Sequence, residues 1–252
     1  MGVFKAELDD VSLIKDSMKT ISDLISEGLF QLQEDGIKLV AADPAMVALV
    51  DFKLEKDVFE DYDLDEETKI GLNLENFYSI LKRANSSDTI VFETGDNESK
   101  FYITIKNNST REFSLPILNL SEDDIPSTDD LDYSVTAVLE ANVIESAVKD
   151  ALVVGDSVVI EADSKGLSIS SEGDQSNVDF QIGKDADGVL EFNEGTARSM
   201  FSLDYLNNMI GAKKLSDNVE ISLGDDFPMR LDFEVPDKAL ISFVLAPRIE
   251  EE

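Results

Sequence analysis

The side chains that could do chemistry in this chain are carboxylates and a small number of amines. The 252 residues include no Cys, no His and no Trp, which removes thiolate nucleophiles, imidazole acid–base catalysis and the usual nitrogen- or sulfur-ligated metal sites. Asp185-Ala186-Asp187-Gly188 resembles the start of a calcium loop. That loop also needs a polar ligand, a Gly and a Glu at its fifth, sixth and twelfth positions, where this chain has Val189, Leu190 and Thr196. We expect no catalytic residue, no metal and no cofactor; a carboxylate enzyme using a divalent ion is the remote alternative.

The positive charge is concentrated on four predicted helices. The formal net charge is −33 with only 21 Lys and Arg, and seven of these cations lie on helix faces or ends: Lys15, Lys19, Lys82, Arg83, Lys149, Lys213 and Lys214. Repeated cations on an acidic chain predict a shared surface for the phosphate backbone of duplex DNA. No aromatic residue or groove-reading motif accompanies them, so neither base stacking nor sequence readout is expected.

Apolar residues at helical spacing predict the four helices that must position these cations. Asn73 and Ser202 stand as candidate N-caps before the second and fourth helices. The four apolar faces are Val11, Ile14, Met18, Ile21 and Ile25; Leu74, Phe77, Leu81 and Ala84; Ile144, Ala147, Ala151 and Val154; and Leu203, Leu206 and Ile210.

The rest of the chain carries strand signals and an internal repeat at an offset of about 130 residues. Ser12–Met18 recurs as Asn142–Val148, Gly36-Ile37-Lys38-Leu39 as Gly166-Leu167-Ser168-Ile169, and Leu74-Glu75-Asn76-Phe77 as Leu203-Asp204-Tyr205-Leu206. About eight strands are expected in each half. The sequence therefore predicts an α+β protein made of two duplicated domains, each with two helices and antiparallel sheets.

An acidic segment separates the halves. It runs from Pro116 to Asp132, and its composition is typical of an exposed connector. Within it, Ile125 is an isolated apolar residue among acidic ones. We expect domains at residues 1–116 and 132–252 with a connector at 117–131. No apolar run is long enough to span a membrane and the N-terminus lacks a signal-peptide pattern, so a cytoplasmic protein is expected.

Several motifs together resemble archaeal sliding clamps of the PCNA family. They are Ala42-Asp43-Pro44-Ala45-Met46-Val47-Ala48-Leu49-Val50, Asp124-Ile125-Pro126, Phe227-Pro228-Met229 and the tail Leu245-Ala246-Pro247-Arg248-Ile249-Glu250. The resemblance implies a processivity factor without catalytic activity: a homotrimeric ring around duplex DNA, with helices lining its interior and sheets outside. It also implies a clamp loader, polymerase, flap endonuclease and ligase as partners in replication and repair, recruited through short glutamine-plus-hydrophobic peptides.

The resemblance further implies which residues make the contacts. Subunits would join edge to edge through Arg111, Phe113, Leu115, Val178 and Phe180, with Arg111 paired to Glu145 or Asp179 of a neighbouring copy. The peptide pocket would comprise Met46, Val47, Ile125, Pro228, Val244, Leu245, Ala246, Pro247 and Ile249.

Three points leave alternatives open. Ala42 and Val244 are smaller than the residues of many relatives, which predicts a wider peptide pocket. The alternative to a homotrimer is that the chain is one subunit of a heterotrimeric or checkpoint-type ring. The acidic surface fits either a salt-rich cytoplasm or a simple need for solubility.

Overall fold

The computed structural model describes residues 4–95, 99–121, 131–193 and 195–249. These residues divide into two compact units. The first contains residues 4–44, 50–95, 99–121 and 235–241, and the second contains 45–49, 131–193, 195–234 and 242–249.

Eleven elements precede the connector and eleven follow it, in the same order. The first set is β1 (Phe4–Leu8), α1 (Ser12–Ser22), β2 (Glu27–Gln33), β3 (Gly36–Ala42), β4 (Ala48–Glu55), β5 (Asp61–Leu64), β6 (Thr68–Asn73), α2 (Leu74–Leu81), β7 (Thr89–Thr94), β8 (Lys100–Lys106) and β9 (Thr110–Pro116).

The second set is β10 (Val135–Glu140), α3 (Ala141–Leu152), β11 (Ser157–Asp163), β12 (Gly166–Glu172), β13 (Asn177–Gly183), β14 (Val189–Asn193), β15 (Ala197–Ser202), α4 (Leu203–Ile210), β16 (Asn218–Leu223), β17 (Met229–Val235) and β18 (Ala239–Leu245). The identical order confirms the duplicated α+β fold. The described residues form nine strands in each set rather than about eight, because short polar strands such as β5 carry little apolar alternation.

The strands of each unit pair in antiparallel runs. The first unit has a five-stranded sheet in the order β5-β1-β7-β8-β9, and a second run of neighbours in the order β4-β3-β2-β6. The second unit has a four-stranded sheet in the order β13-β12-β11-β15, and a run in the order β14-β10-β16-β17. Strands β9 and β13 are therefore end strands of their sheets.

The helices pack in pairs, α1 with α2 and α3 with α4. The five apolar residues predicted for the first helix are all at most 2% exposed. Phe77 on α2 packs edge-on against Phe30, with ring centroids 5.6 Å apart, and lies 5.7 Å from Phe92. Burying a side chain of this size contributes about 1.5 to 3 kcal/mol, so the apolar faces fix each helix pair on its sheets and leave the polar faces outward.

The two predicted N-caps have different outcomes. The Asn73 side chain accepts a hydrogen bond from the Asn76 backbone N–H at 2.9 Å, as predicted. Ser202 occupies the N-cap position of α4 with extended backbone, but its side chain makes no capping bond. The Ser202 prediction is corrected in that respect.

Two glycines at equivalent positions of the repeat close the β2–β3 and β11–β12 hairpins. Gly36 has φ +142° and Gly166 has φ +143°, a backbone region that other residues rarely adopt. A Cβ built on Gly36 would lie 2.1 Å from the Leu54 carbonyl oxygen, and one built on Gly166 would lie 2.0 Å from that of Ile182. Only glycine fits either turn without moving the neighbouring strand.

Replacing Gly166 with Ala should lower the free energy of unfolding by about 1 to 3 kcal/mol, because the new methyl group meets backbone that cannot rotate away. Gly183→Ala is the matched control, since its Cβ would meet nothing within 4 Å. Urea unfolding at fixed salt measures both variants. Equal midpoints for the two would show that the hairpin tolerates the methyl group and that the turn is not constrained as described.

Candidate functional site

The predicted DNA-facing cations of the first unit lie on the polar side of the α1–α2 pair. Lys19 forms an ion pair with Asp23. Among the described residues, Lys15, Lys82 and Arg83 have no carboxylate within ion-pair distance. The Arg83 carbonyl accepts a hydrogen bond from Arg111 at 3.1 Å, so its backbone is anchored while its side chain remains exposed.

Two of the three predicted cations of the second unit are bonded to one carboxylate. Lys149 Nζ lies 2.7 Å from Glu145 Oε1, and Lys213 Nζ lies 2.5 Å from Glu145 Oε2. Lys213 also donates to Asn142 Oδ1 at 3.2 Å. The hydrogen bond from Lys149, followed by that from Lys213, holds the pKa of Glu145 below its ordinary value, so Glu145 stays charged.

Carboxylates nearly cancel the helix cations. Residues 12–23, 74–83, 141–152 and 203–214 contain the seven cations and six carboxylates, which are Asp16, Asp23, Glu75, Glu145, Asp150 and Asp204. These segments carry a net charge of +1 in a chain of −33. The helix segments are thus nearly neutral, whereas the rest of the chain is strongly acidic.

An aromatic side chain lies among these cations, which corrects the expectation that none does. The Nζ atoms of Lys19 and Lys82 lie 5.8 and 5.7 Å from the centroid of the Tyr78 ring, within cation–π range. Tyr78 is half-buried on α2. Its spacing of four residues before Lys82 is a signal in the sequence that could have revealed the contact.

The predicted joint residues lie on end strands, as the edge-to-edge hypothesis requires. On β9, Phe113 is half-buried and Leu115 is buried, and on β13, Val178 and Phe180 are half-buried. The intervening residues, among them Glu112 and Asp179, are exposed. Both edges thus alternate apolar and polar side chains and leave one side of the backbone without a partner strand among the described residues.

Arg111 has partners within its own unit. Its Nη2 donates to Asp88 Oδ2 at 2.6 Å, and Asp88 is 3% exposed. Asp88 also accepts from Asn107 Nδ2 at 2.8 Å and from the Asn85 N–H at 3.2 Å, and these bonds, that from Asn107 foremost, lower its pKa. The expected partners Glu145 and Asp179 are also engaged, Asp179 with Gln181 at 2.5 Å. Within its own chain Arg111 is thus engaged by Asp88, and the ion pair across the joint stays a prediction.

All the residues predicted for the peptide pocket, except Ile125, belong to the second unit. Met46 is 45% exposed and Ile249 is 92% exposed, and they are two of the four large hydrophobic residues exposed among the described residues. Met46 has φ +57°, a strained conformation for a side chain of this kind. The Ala246 N–H donates to the Val47 carbonyl at 2.9 Å, which joins the tail to the segment carrying Met46.

The other pocket residues divide between surface and core. Pro228, Ala246 and Pro247 are half-buried. Val244 is 6% exposed and Leu245 is fully buried on β18, so Leu245 is a core residue behind the pocket and its expected direct contact with a peptide is corrected. Ile125 lies outside the described residues.

Sequence reasoning missed Tyr133, which lies beside the predicted pocket. Its ring packs edge-on against Phe227, with centroids 5.7 Å apart, next to Pro228. Its hydroxyl is buried and has no hydrogen-bond partner among the described residues, and burial raises its pKa to about 12. An aromatic residue just after the acidic connector was the available signal.

Two further findings concern metals and membranes. No group of three or more carboxylates in the described part of the chain is placed to hold a metal ion, and Asp185 and Asp187 belong to no such group. None of the described helices has the length and apolar character needed to cross a lipid bilayer.

Comparison with known proteins identifies the family. Residues 3–125 match the N-terminal domain of proliferating cell nuclear antigen, and residues 127–248 match its C-terminal domain. The chain belongs to the proliferating cell nuclear antigen family of sliding clamps. The DNA polymerase sliding clamp of Thermococcus gammatolerans is 31% identical over 249 residues, which cover 98% of this chain and 99% of that protein.

Solved structures of proliferating cell nuclear antigens from archaea have the same fold. The A. fulgidus protein, whose structure contains the C-terminal region of FEN-1, matches with a TM-score of 0.87 and 30% identity over 99% of this chain and all of that chain. A chain of the PCNA2–PCNA3 complex from Sulfolobus tokodaii matches with a TM-score of 0.88 and 27% identity over 98% of this chain and all of that chain.

Proposed function

We propose that this clamp is a homotrimeric ring that encircles duplex DNA and tethers replication and repair enzymes to it without catalysing a reaction. The observation that carries the proposal is the combination, in one duplicated chain, of outward polar helix pairs bearing cations with two sheets whose end strands alternate apolar and polar side chains. Residues 117–131 would form the connector between the domains at 1–116 and 132–252. The match of residues 3–125 and 127–248 to the two domains of the family supports this assignment.

Ring closure would occur by adding β13 of one copy to β9 of the next. End strands with unpaired backbone groups are templates for such pairing. Phe113 and Leu115 would meet Val178 and Phe180, which supplies apolar burial. The exposed Glu112 and Asp179 bring like charges to the same joint, and Arg111 is held by Asp88.

This arrangement predicts a trimer that strengthens as salt is added. Each copy carries −33 charges, and repulsion between exposed charges is screened within about 8 Å at physiological ionic strength and about 3 Å at 1 M salt. Light scattering at several salt concentrations should show the trimer fraction rising with salt. A trimer that dissociates as salt rises would instead indicate ion pairs across the joint, such as Arg111 with Glu145.

The same measurement tests the main alternative. A relative from Sulfolobus tokodaii forms a complex of two different clamp chains. A chain that stays monomeric at every salt concentration, and trimerises only on mixing with another clamp chain, would replace the homotrimer with a heterotrimer.

Retention on DNA should be topological. The helix segments carry a net charge of only +1, and contacts to phosphate weaken steeply with salt. A loaded clamp should therefore leave linear duplex quickly and remain on closed circular duplex at the same ionic strength, as measured by gel filtration of the complexes. Equal loss from both DNA forms would identify an ordinary weak binding protein.

Partner enzymes would dock a glutamine-plus-hydrophobic peptide on the second unit, beside Met46, Val47, Pro228 and the tail. The A. fulgidus relative was solved with the C-terminal region of FEN-1 bound, which supports a peptide-binding mode. The peptide would gain free energy by burying two or three apolar side chains and lose part of it on becoming ordered. The net free energy corresponds to an affinity near the micromolar range.

Ile249→Ala should weaken binding of a labelled peptide of this type by about 1 to 2 kcal/mol, with little effect on folding because Ile249 is 92% exposed. Val153→Ala is the control, since Val153 is 86% exposed but lies at the end of α3. Fluorescence anisotropy measures both, and Ile125→Ala tests the connector in the same assay. Equal affinities for wild type and Ile249→Ala would remove the tail from the peptide site.

A further inference from the structure

The two helix pairs have the same fold but different charge arrangements. Lys15 in the first repeat corresponds to Glu145 in the second, whereas Lys19 corresponds to Lys149. At the offset of 129 residues that relates α2 to α4, Tyr78 corresponds to Asn207 and Lys82 to Gly211. Duplication has kept the helices and changed the side chains that a DNA backbone would meet.

The number of cations available to phosphate differs accordingly. In the first unit, Lys15, Lys82 and Arg83 have no carboxylate within ion-pair distance among the described residues. In the second unit, Glu145 bonds both Lys149 and Lys213, and of the predicted cations in the described residues only Lys214 lacks such a partner. A phosphate approaching the second pair would have to compete with Glu145, which repels it.

Tyr78 adds order to the cations of the first unit. Two ammonium groups lie within 5.8 Å of one ring centroid: Lys82, which has no carboxylate within ion-pair distance among the described residues, and Lys19, which also pairs with Asp23. A cation–π contact restrains a flexible lysine without neutralising it, so less side-chain entropy is lost when the ammonium group binds phosphate. Asn207, the residue equivalent to Tyr78 in the second repeat, has no ring.

We infer that the α1–α2 pair is the phosphate-binding surface of each subunit, with Tyr78 as the residue that positions Lys82, and that the α3–α4 pair, whose cations Lys149 and Lys213 are bonded to Glu145, holds no phosphate. This inference rests on the proposed clamp function and refines it. A homotrimer would then contact duplex DNA at three equivalent places rather than six. The affinity of the ring for DNA would then decrease with salt less steeply than if all six helix pairs contacted phosphate.

The absence of cysteine from the chain allows a direct test. Ser79→Cys on α2 and Asn207→Cys on α4 each create a unique thiol at an exposed position, to which a photo-crosslinker can be attached. The labelled clamps are loaded on closed circular duplex, irradiated, and the fraction crosslinked to DNA is measured. Crosslinking from position 79 should exceed that from position 207 by about fivefold or more at moderate salt.

Charge and ring variants test the residues themselves in the Ser79→Cys background. Lys15→Gln with Lys82→Gln should reduce crosslinking by about fivefold, and Lys149→Gln with Lys213→Gln should reduce it much less, although each pair removes two positive charges. Tyr78→Leu should reduce crosslinking, and Tyr78→Phe, which keeps the ring, should restore it. Light scattering and thermal melting verify that each variant remains assembled and folded.

The outcomes separate this inference from the clamp proposal. Equal crosslinking from positions 79 and 207, or a larger yield from 207, in a clamp that is retained on circular DNA would overturn the inference and leave the clamp intact. An equal effect of Tyr78→Phe and Tyr78→Leu would remove the ring from its positioning role. Failure of the unmodified protein to remain on circular DNA would overturn the clamp proposal and this inference with it.

Discussion

Electrostatic repulsion is the constraint on which the working of this molecule depends. In the proposed ring, a chain with a net charge of −33 would assemble with copies of itself and approach a polyanion. The charge is distributed unevenly along the chain. The helix segments contain seven cations and six carboxylates, and the strands and loops carry the remaining negative charge. Attraction to DNA is consequently weak and local. A protein with weak local attraction can stay on DNA only by enclosing it, so the charge distribution and the ring proposal depend on each other.

The joint proposed between subunits follows from the same constraint. Arg111 would be the natural counterion for a carboxylate on a neighbouring copy, yet it is bound to the buried Asp88 and to the Arg83 carbonyl. That bond ties the end strand β9 to the loop after α2, so the edge is held in place by its own unit. The end strand β9 can therefore offer another copy apolar side chains and unpaired backbone groups. Contacts through these groups do not depend on attraction between opposite charges. Salt favours them because it screens the repulsion between the two acidic copies.

The fold was predictable because its signals are periodic and repeated, whereas the details of the site depend on pairings across the chain. The apolar spacing of Val11 to Ile25 predicted α1, and the repeat that includes Gly36 and Gly166 predicted two matching domains. No local pattern predicts that Lys213 bonds Glu145, 68 residues away, or that Asp88 captures Arg111. Ser202 has the right residue type for an N-cap but makes no capping bond. Residue type alone does not decide a side-chain hydrogen bond.

Duplication explains how one chain can hold two helix pairs of the same fold and different electrostatic character. Folding stability depends on the inward residues, such as Ile14 and Ile144, both 2% exposed. The outward positions contribute little, since exposed ion pairs are worth about 1 kcal/mol or less. Lys15 could therefore diverge from Glu145, and Tyr78 from Asn207, without cost to the core. Because the two repeats share a backbone but not these side chains, the first can retain phosphate contact while the second is freed of it.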